Sequence, residues 1–97
     1  MKGRIDLRQY ARGQNCQIRI PGICNRDPAT TVLAHIRMPG TGIGRKPHDL
    51  IGAESCSACH DAVDGRVKTG LDTQTLRLYH LEGMARTIDM LARDGKI

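Results

Sequence analysis

The sequence predicts a small α+β fold closed by its own cysteines, and three observations carry that expectation. The run Thr30-Thr31-Val32-Leu33-Ala34-His35-Ile36 is β-branched and apolar, the clearest strand in the chain. After Asp72 the apolar spacing becomes helical, with Leu76, His80, Met84, Ile88 and Leu91 on one stripe. The four cysteines fall into two pairs, Cys16/Cys24 and Cys56/Cys59. A chain of 97 residues makes one domain, 1–97, and its only aromatics are Tyr10 and Tyr79. A core so poor in large side chains is marginal at this size. A metal staple, worth on the order of 10 kcal/mol of folding free energy, would supply what packing lacks.

The elements follow in order. Asp6 to Arg12 forms one or two helical turns with Leu7 and Tyr10 on one side and Gly13 as the stop. Cys16-Gln17-Ile18-Arg19-Ile20 alternates like a short strand, and Pro21-Gly22 turns the chain back to Cys24, so the two cysteines end a small hairpin or knuckle. The Thr30–Ile36 strand comes next, followed by an exposed Gly-, Pro- and Arg/Lys-bearing loop from Met38 to Pro47. His48-Asp49-Leu50-Ile51 is the expected returning strand. A helix starts at about Ser57, with Val63 and Val67 on one face and Gly65 weakening its end. The last helix, capped by Asp72 or Thr73, runs to about Arg93, with Leu81 and Ala85 widening its apolar face and Glu82/Arg86 spaced as an i,i+4 pair. His80 lies on that stripe as a hydrogen-bonded core or boundary residue.

Cys56-x-x-Cys59 sets two sulfurs on one side of a turn, and the Cys16/Cys24 pair completes a tetrahedral zinc site with Zn–S of ~2.3 Å. Two other readings compete. Disulfides would need an oxidising compartment, whereas Met1-Lys2-Gly3-Arg4-Ile5-Asp6 is polar and shows no signal peptide, which points to the cytoplasm. A redox Cys56/Cys59 pair would need a strand-to-helix setting, and Leu50–Glu54 is short for the strand. Successive helical side chains point ~100° apart, so with Cys59 facing zinc, His60 turns toward another surface.

Lys and Arg exceed Asp and Glu to give a net charge of +5, which attracts polyanions, nucleic acid first. Near-absence of aromatics disfavours a base-stacking single-strand platform. No stretch of about 20 apolar residues could span a membrane. Arg37, Arg45 and Lys46, in and beside the loop, are candidate phosphate contacts.

The order of cysteine pair, strand with a histidine, basic loop, Asp49, then Cys56-Ser57-Ala58-Cys59-His60 opening a helix resembles the zinc-containing HNH nucleases of the ββα-metal fold. The match covers roughly residues 16–67, with a ββα core at about 30–67, a short N-terminal helix before it and a packing helix at about 73–93 after it. The chain is closer still to the small phage and prophage nuclease family typified by YbcO. The motifs are Arg12-Gly13, Cys16-Gln17-Ile18-Arg19-Ile20-Pro21-Gly22-Ile23-Cys24-Asn25, Val32-Leu33-Ala34-His35-Ile36-Arg37, Cys56-Ser57-Ala58-Cys59-His60-Asp61 and Leu81-Glu82-Gly83-Met84-Ala85-Arg86-Thr87.

The resemblance implies a metal-dependent DNA endonuclease in the bacterial host cytoplasm, acting in recombination or DNA processing, with a recombination protein as a partner and no specified oligomeric state. It gives His35 the place of the general base, suited to an imidazole titrating near ~6.5. His60 takes the place of the helix ligand of a catalytic divalent ion, Mg²⁺, Mn²⁺ or Ni²⁺. Asp49 falls where it could ligate that ion or hold the imidazole of His35. Cys16, Cys24, Cys56 and Cys59 match the structural zinc. Ala34 departs from the pattern, because the family's Asp or His ligand before the base histidine is missing; His48 or Asp61 is then a candidate to complete the shell. The competing class is a non-catalytic, zinc-stabilised nucleic-acid-binding or adaptor module.

Overall fold

The computed structural model describes residues 5–38 and 48–97. The first element, α1 (Leu7–Ala11), begins where Asp6 leaves helical geometry and its carboxylate accepts the amides of Arg8 and Gln9. Gly13, at φ +83°, then turns the chain out of the helix. Leu7 and Ala11 are the buried pair.

Cys16–Ile20 does not form the expected strand. Arg19 sits in the left-handed region at φ 57°, and the amides of Ile18, Arg19 and Ile20 face cysteine sulfurs instead of a neighbouring strand. The apparent alternation also fails, since Cys16, Gln17, Ile18 and Ile20 are all buried. The turn at Pro21-Gly22 is present, with Ile23 and Cys24 amides donating to the Ile20 carbonyl at 3.1 and 2.9 Å.

A 3₁₀ turn at Pro28–Thr30, capped by Asp27, feeds β1 (Val32–His35). Its partner β2 is Gly52–Ser55, not 48–51. The segment 48–51 is a turn because its donors are satisfied locally: Ile51 N–H donates to the His48 carbonyl at 2.8 Å and Leu50 N–H to His48 Nδ1 at 3.1 Å. The two strands are antiparallel in the register Val32↔Ser55, Leu33↔Glu54, Ala34↔Ala53 and His35↔Gly52.

β2 runs directly into α2 (Ser57–Val63), whose N-cap is Cys56. The strand-to-helix setting that the sequence denied to Cys56/Cys59 is therefore present, and what distinguishes the pair from a redox dithiol is the company of Cys16 and Cys24. The helix ends at Val63, with Asp64 as its C-cap.

The long helix α3 (Thr73–Arg93) starts at Asp72, whose carboxylate accepts Thr75 N–H at 2.7 Å, and packs chiefly on β2. Its buried face is His80, Gly83, Thr87 and Leu91, while Leu81 and Ala85 are exposed. Gly83 decides this orientation: a Cβ there would stand 2.8 Å from Ile18 Cγ1 and 3.0 Å from Ile18 Cα, so the helix approaches the cysteine segment more closely than any side chain permits. Thr87 Oγ1 accepts Glu54 N–H at 3.0 Å, and Arg86 donates to the Gln17 carbonyl at 2.8 Å rather than pairing with Glu82. No helix among the described residues is long and apolar enough to cross a membrane.

Candidate metal centre and active site

The cysteine segment and the β2–α2 junction bring Cys16, Cys24, Cys56 and Cys59 together with all four sulfurs within 4.8 Å of one another. Cys24 and Cys56 Sγ are 3.8 Å apart. Tetrahedral zinc with Zn–S of ~2.3 Å requires S···S edges of ~3.8 Å, so the donor set fits that ion. All four cysteines are free thiols, not disulfides. Backbone amides of Ile18 and Arg19 aim at Cys16, that of Arg26 at Cys24 and that of Ile20 at Cys59, a set of donors that stabilises thiolates. Cys16 is pulled down to about 4, first by a hydrogen bond from Cys59 and against the opposing effect of burial. That same bond, followed by burial, pushes Cys59 up, and burial pushes Cys24 up. Four sulfurs this close cannot all ionise without a cation among them.

A second constellation lies at the end of β1. His35 Nε2 is 2.8 Å from Asp49 Oδ1, and Arg8 Nε donates to the same oxygen at 3.2 Å. Asp49 is held below the ordinary carboxylate range, first by the hydrogen bond from His35, with burial opposing and Arg8 assisting. An ionised carboxylate only accepts, so Nε2 carries a proton, and in the neutral ring Nδ1 keeps the lone pair. Among the described residues Nδ1 has no hydrogen-bond partner. The strand end is fixed from behind by buried His80, whose Nε2 donates to the Ala34 carbonyl at 2.8 Å. Burial lowers the His80 pKa, which keeps the ring neutral.

His35 borders two clefts. One, of about 480 Å³, is lined by Arg37, Asp64, Arg66, Arg77 and His80 among others. The other, of about 400 Å³, is lined by Arg8, Arg12 and α1. A third groove, of about 470 Å³, runs beside the cysteine segment with Arg19 and Arg26 and contains no histidine. His60 is joined to the first cleft through Asp64: its Nε2 lies 3.0 Å from Asp64 Oδ2, and Arg66 pairs with both Asp64 and Asp61.

Of the residues the sequence singled out, His35 and Asp49 meet directly, and Arg37 lines the His35 cleft. Arg45 and Lys46 lie outside the described residues. Sequence reasoning missed Asp64, Arg66, Arg77 and Arg8. Asp64 could have been found as the i+4 neighbour of His60 on a helix. Nothing local signals Arg8, whose partner is 41 residues away.

A family profile described as "Putative nuclease YbcO" matches residues 5–96. The chain belongs to this family. It is 52% identical over 93 residues to "Putative nuclease YbcO" of Escherichia coli (strain K12), spanning 95% of this chain and 96% of that one. The same figures hold for "Putative nuclease ybcO" of Enterobacteria phage 82. A solved structure titled "Structure of a putative bacteriophage protein from Escherichia coli str. K-12 substr. MG1655" has a TM-score of 0.79 at 47% identity, covering 93% of this chain and 100% of that chain. The YbcO resemblance drawn from the motifs thus holds over nearly the whole length.

Proposed function

We propose that this YbcO-family chain is a metal-dependent DNA endonuclease of the HNH, ββα-metal type, serving phage or prophage recombination or DNA processing in the bacterial cytoplasm. The observation that carries the reading is the His35–Asp49 pair, 2.8 Å apart, at the edge of a cleft lined by Arg37, Arg66 and Arg77. Asp49 pins the Nε2–H of His35 and leaves Nδ1 to take a proton from the water that attacks phosphorus. As the new P–O bond forms, the P–O bond to the leaving oxygen breaks. A divalent ion held at His60 would supply stabilisation of the charge on that oxygen. The cysteine zinc would fix the junction from which α2 presents His60. Arg8 and Arg12 on one side of His35, and Arg37, Arg66 and Arg77 on the other, provide phosphate contacts on both sides of the base.

One observation favours the competing reading, a non-catalytic DNA-binding or adaptor module. Ala34 offers no side-chain ligand, is fully buried, and spends its carbonyl on His80. A plasmid nicking assay with Mg²⁺, Mn²⁺ and Ni²⁺, run beside His35→Ala, separates the two. The nuclease reading expects divalent-ion-dependent nicking that the variant loses.

A further inference from the structure

We propose that Arg8, carried on α1 ahead of β1, is a positioning residue for the base: it acts on His35 through the Asp49 oxygen that the two share. This rests on the nuclease reading and adds to it a residue of the N-terminal helix. Where Asp49 sits explains why a second hold is required. The 48–51 segment is a turn closed by its own bonds, Ile51 N–H to the His48 carbonyl and Leu50 N–H to His48 Nδ1, so no strand ladder fixes the carboxylate. Asp49 Oδ1 receives His35 Nε2–H at 2.8 Å and Arg8 Nε–H at 3.2 Å, and Oδ2 has no hydrogen-bond partner among the described residues. Held by His35 alone, the carboxylate is free to swing about that one bond and carry the ring with it. Two donors that converge on one oxygen from different elements fix its direction.

Arg8 can supply that hold because α1 is itself anchored. Asp6 caps the helix on the amides of Arg8 and Gln9, and Leu7 and Ala11 are buried where α1 packs on β1. Arg8, one residue after Leu7, leaves the buried face at ~100° and meets the strand end from its rim. Its side chain is 61% exposed and only Nε is engaged, so the Nη groups stand beside Arg12 in the cleft of about 400 Å³ that His35 borders, with no hydrogen bond among the described residues. An ion pair this exposed adds little stability; its consequence is orientation. One planar guanidinium serves two ends, Asp49 through Nε and a DNA phosphate through Nη. Arg8 therefore bears on the rate through Asp49 and on affinity through phosphate, whereas Arg12 lines the same cleft without an ion pair to Asp49.

The test is a double-mutant cycle of Arg8→Met and Asp49→Ala in the zinc-loaded full-length chain, with Arg12→Met for comparison, read as the single-turnover rate of plasmid nicking at saturating protein. Methionine keeps an unbranched stem and a good helix former while removing every side-chain N–H, and thermal melting with zinc content verifies each fold. Arg8→Met should slow nicking ~10-fold when Asp49 is present and less than ~2-fold in the Asp49→Ala background, while Arg12→Met has the same effect in both. A ~10-fold loss in both backgrounds would overturn the assignment and leave Arg8 a phosphate contact only. A second readout is independent of cleavage. In ¹⁵N-histidine-labelled protein, solvent exchange of the His35 Nε2 proton, followed by NMR, should quicken at least ~5-fold in Arg8→Met. Unchanged exchange in the folded variant would overturn the positioning and leave the nuclease reading standing. Inactivity of wild type with every ion would overturn the nuclease reading and with it the role in cleavage, even where quickened exchange shows Arg8 holding the Asp49–His35 bond.

Discussion

At the residue scale the His35–Asp49 contact separates two roles that the sequence left open for Asp49. A carboxylate that already receives Nε2–H from His35 and Nε–H from Arg8 is, on the proposed reading, the group that orients the base. Asp49→Ala should therefore lower the cleavage rate by about 10²-fold, within the range for disabling general-base catalysis, and leave Mn²⁺ affinity within ~2-fold of wild type. A matching loss of ion affinity would make Asp49 a ligand instead. His35 and His60 could be singled out as candidates because each stands beside a strong local signal, a β-branched strand and a Cys-x-x-Cys turn. Arg8 was not, since its partner is remote in sequence, and Arg86 was misassigned because a helical i,i+4 rule cannot see the Gln17 carbonyl across the interface.

Elements with chemical punctuation were the legible ones. Asp6, Cys56 and Asp72 cap α1, α2 and α3 close to where the sequence set their starts. The short apolar pieces misled, because alternation over a few residues does not reveal where amides find acceptors. For Ile18, Arg19 and Ile20 the acceptors are cysteine sulfurs while Gln17 N–H donates to the Glu54 carbonyl at 2.7 Å, and in 48–51 the acceptors are within the turn itself. Gly83 carries the docking of α3: Gly83→Ala gains about 1 kcal/mol of helix propensity but must push Ile18 backbone aside. A net destabilisation of roughly 1–2 kcal/mol by chemical denaturation is expected, and a more stable variant would show that α3 can shift without cost.

β2 also holds Glu54, which is 2% exposed and whose Oε1 has no hydrogen-bond partner among the described residues. Burial first, and Asp94 second, raise it from 4.5 to about 7. The folded state thus keeps a proton between pH 4.5 and 7 that the unfolded chain has lost. The stability tied to the neutral acid is complete below 4.5 and drains as pH rises through 7. Glu54→Gln should remove this slope, so that its Tm gains on wild type by roughly 5 °C between pH 5 and pH 8. A constant Tm difference across that range would mean that Glu54 finds a partner.

On the scale of the whole molecule, the four-cysteine site joins two segments remote in sequence, 16–24 and 56–59. The buried cluster around those cysteines contains Ile18, Ile20, Ala53 and Ala62, with no side chain larger than isoleucine among its buried members. Stripping the metal with a chelator should abolish the cooperative thermal transition, because binding and folding are coupled when ligands are this far apart. A sharp transition persisting in zinc-free, reduced protein would refute that coupling. Family membership was readable because motifs spread from residue 12 to residue 87 keep their order, whereas the cleft around His35 depends on α3 folding back over the sheet and could not be read from any one segment.

The central claim is that His35, aimed by Asp49, removes a proton from a water attacking a DNA phosphodiester. Plasmid nicking by zinc-loaded protein, with Mg²⁺, Mn²⁺ or Ni²⁺ added, tests it most directly. Strand breaks are expected in wild type with at least one of these ions, lost on chelation and reduced by about 10²-fold or more in His35→Ala. Nicking that persists undiminished in His35→Ala, or inactivity of wild type with every ion, would contradict the claim.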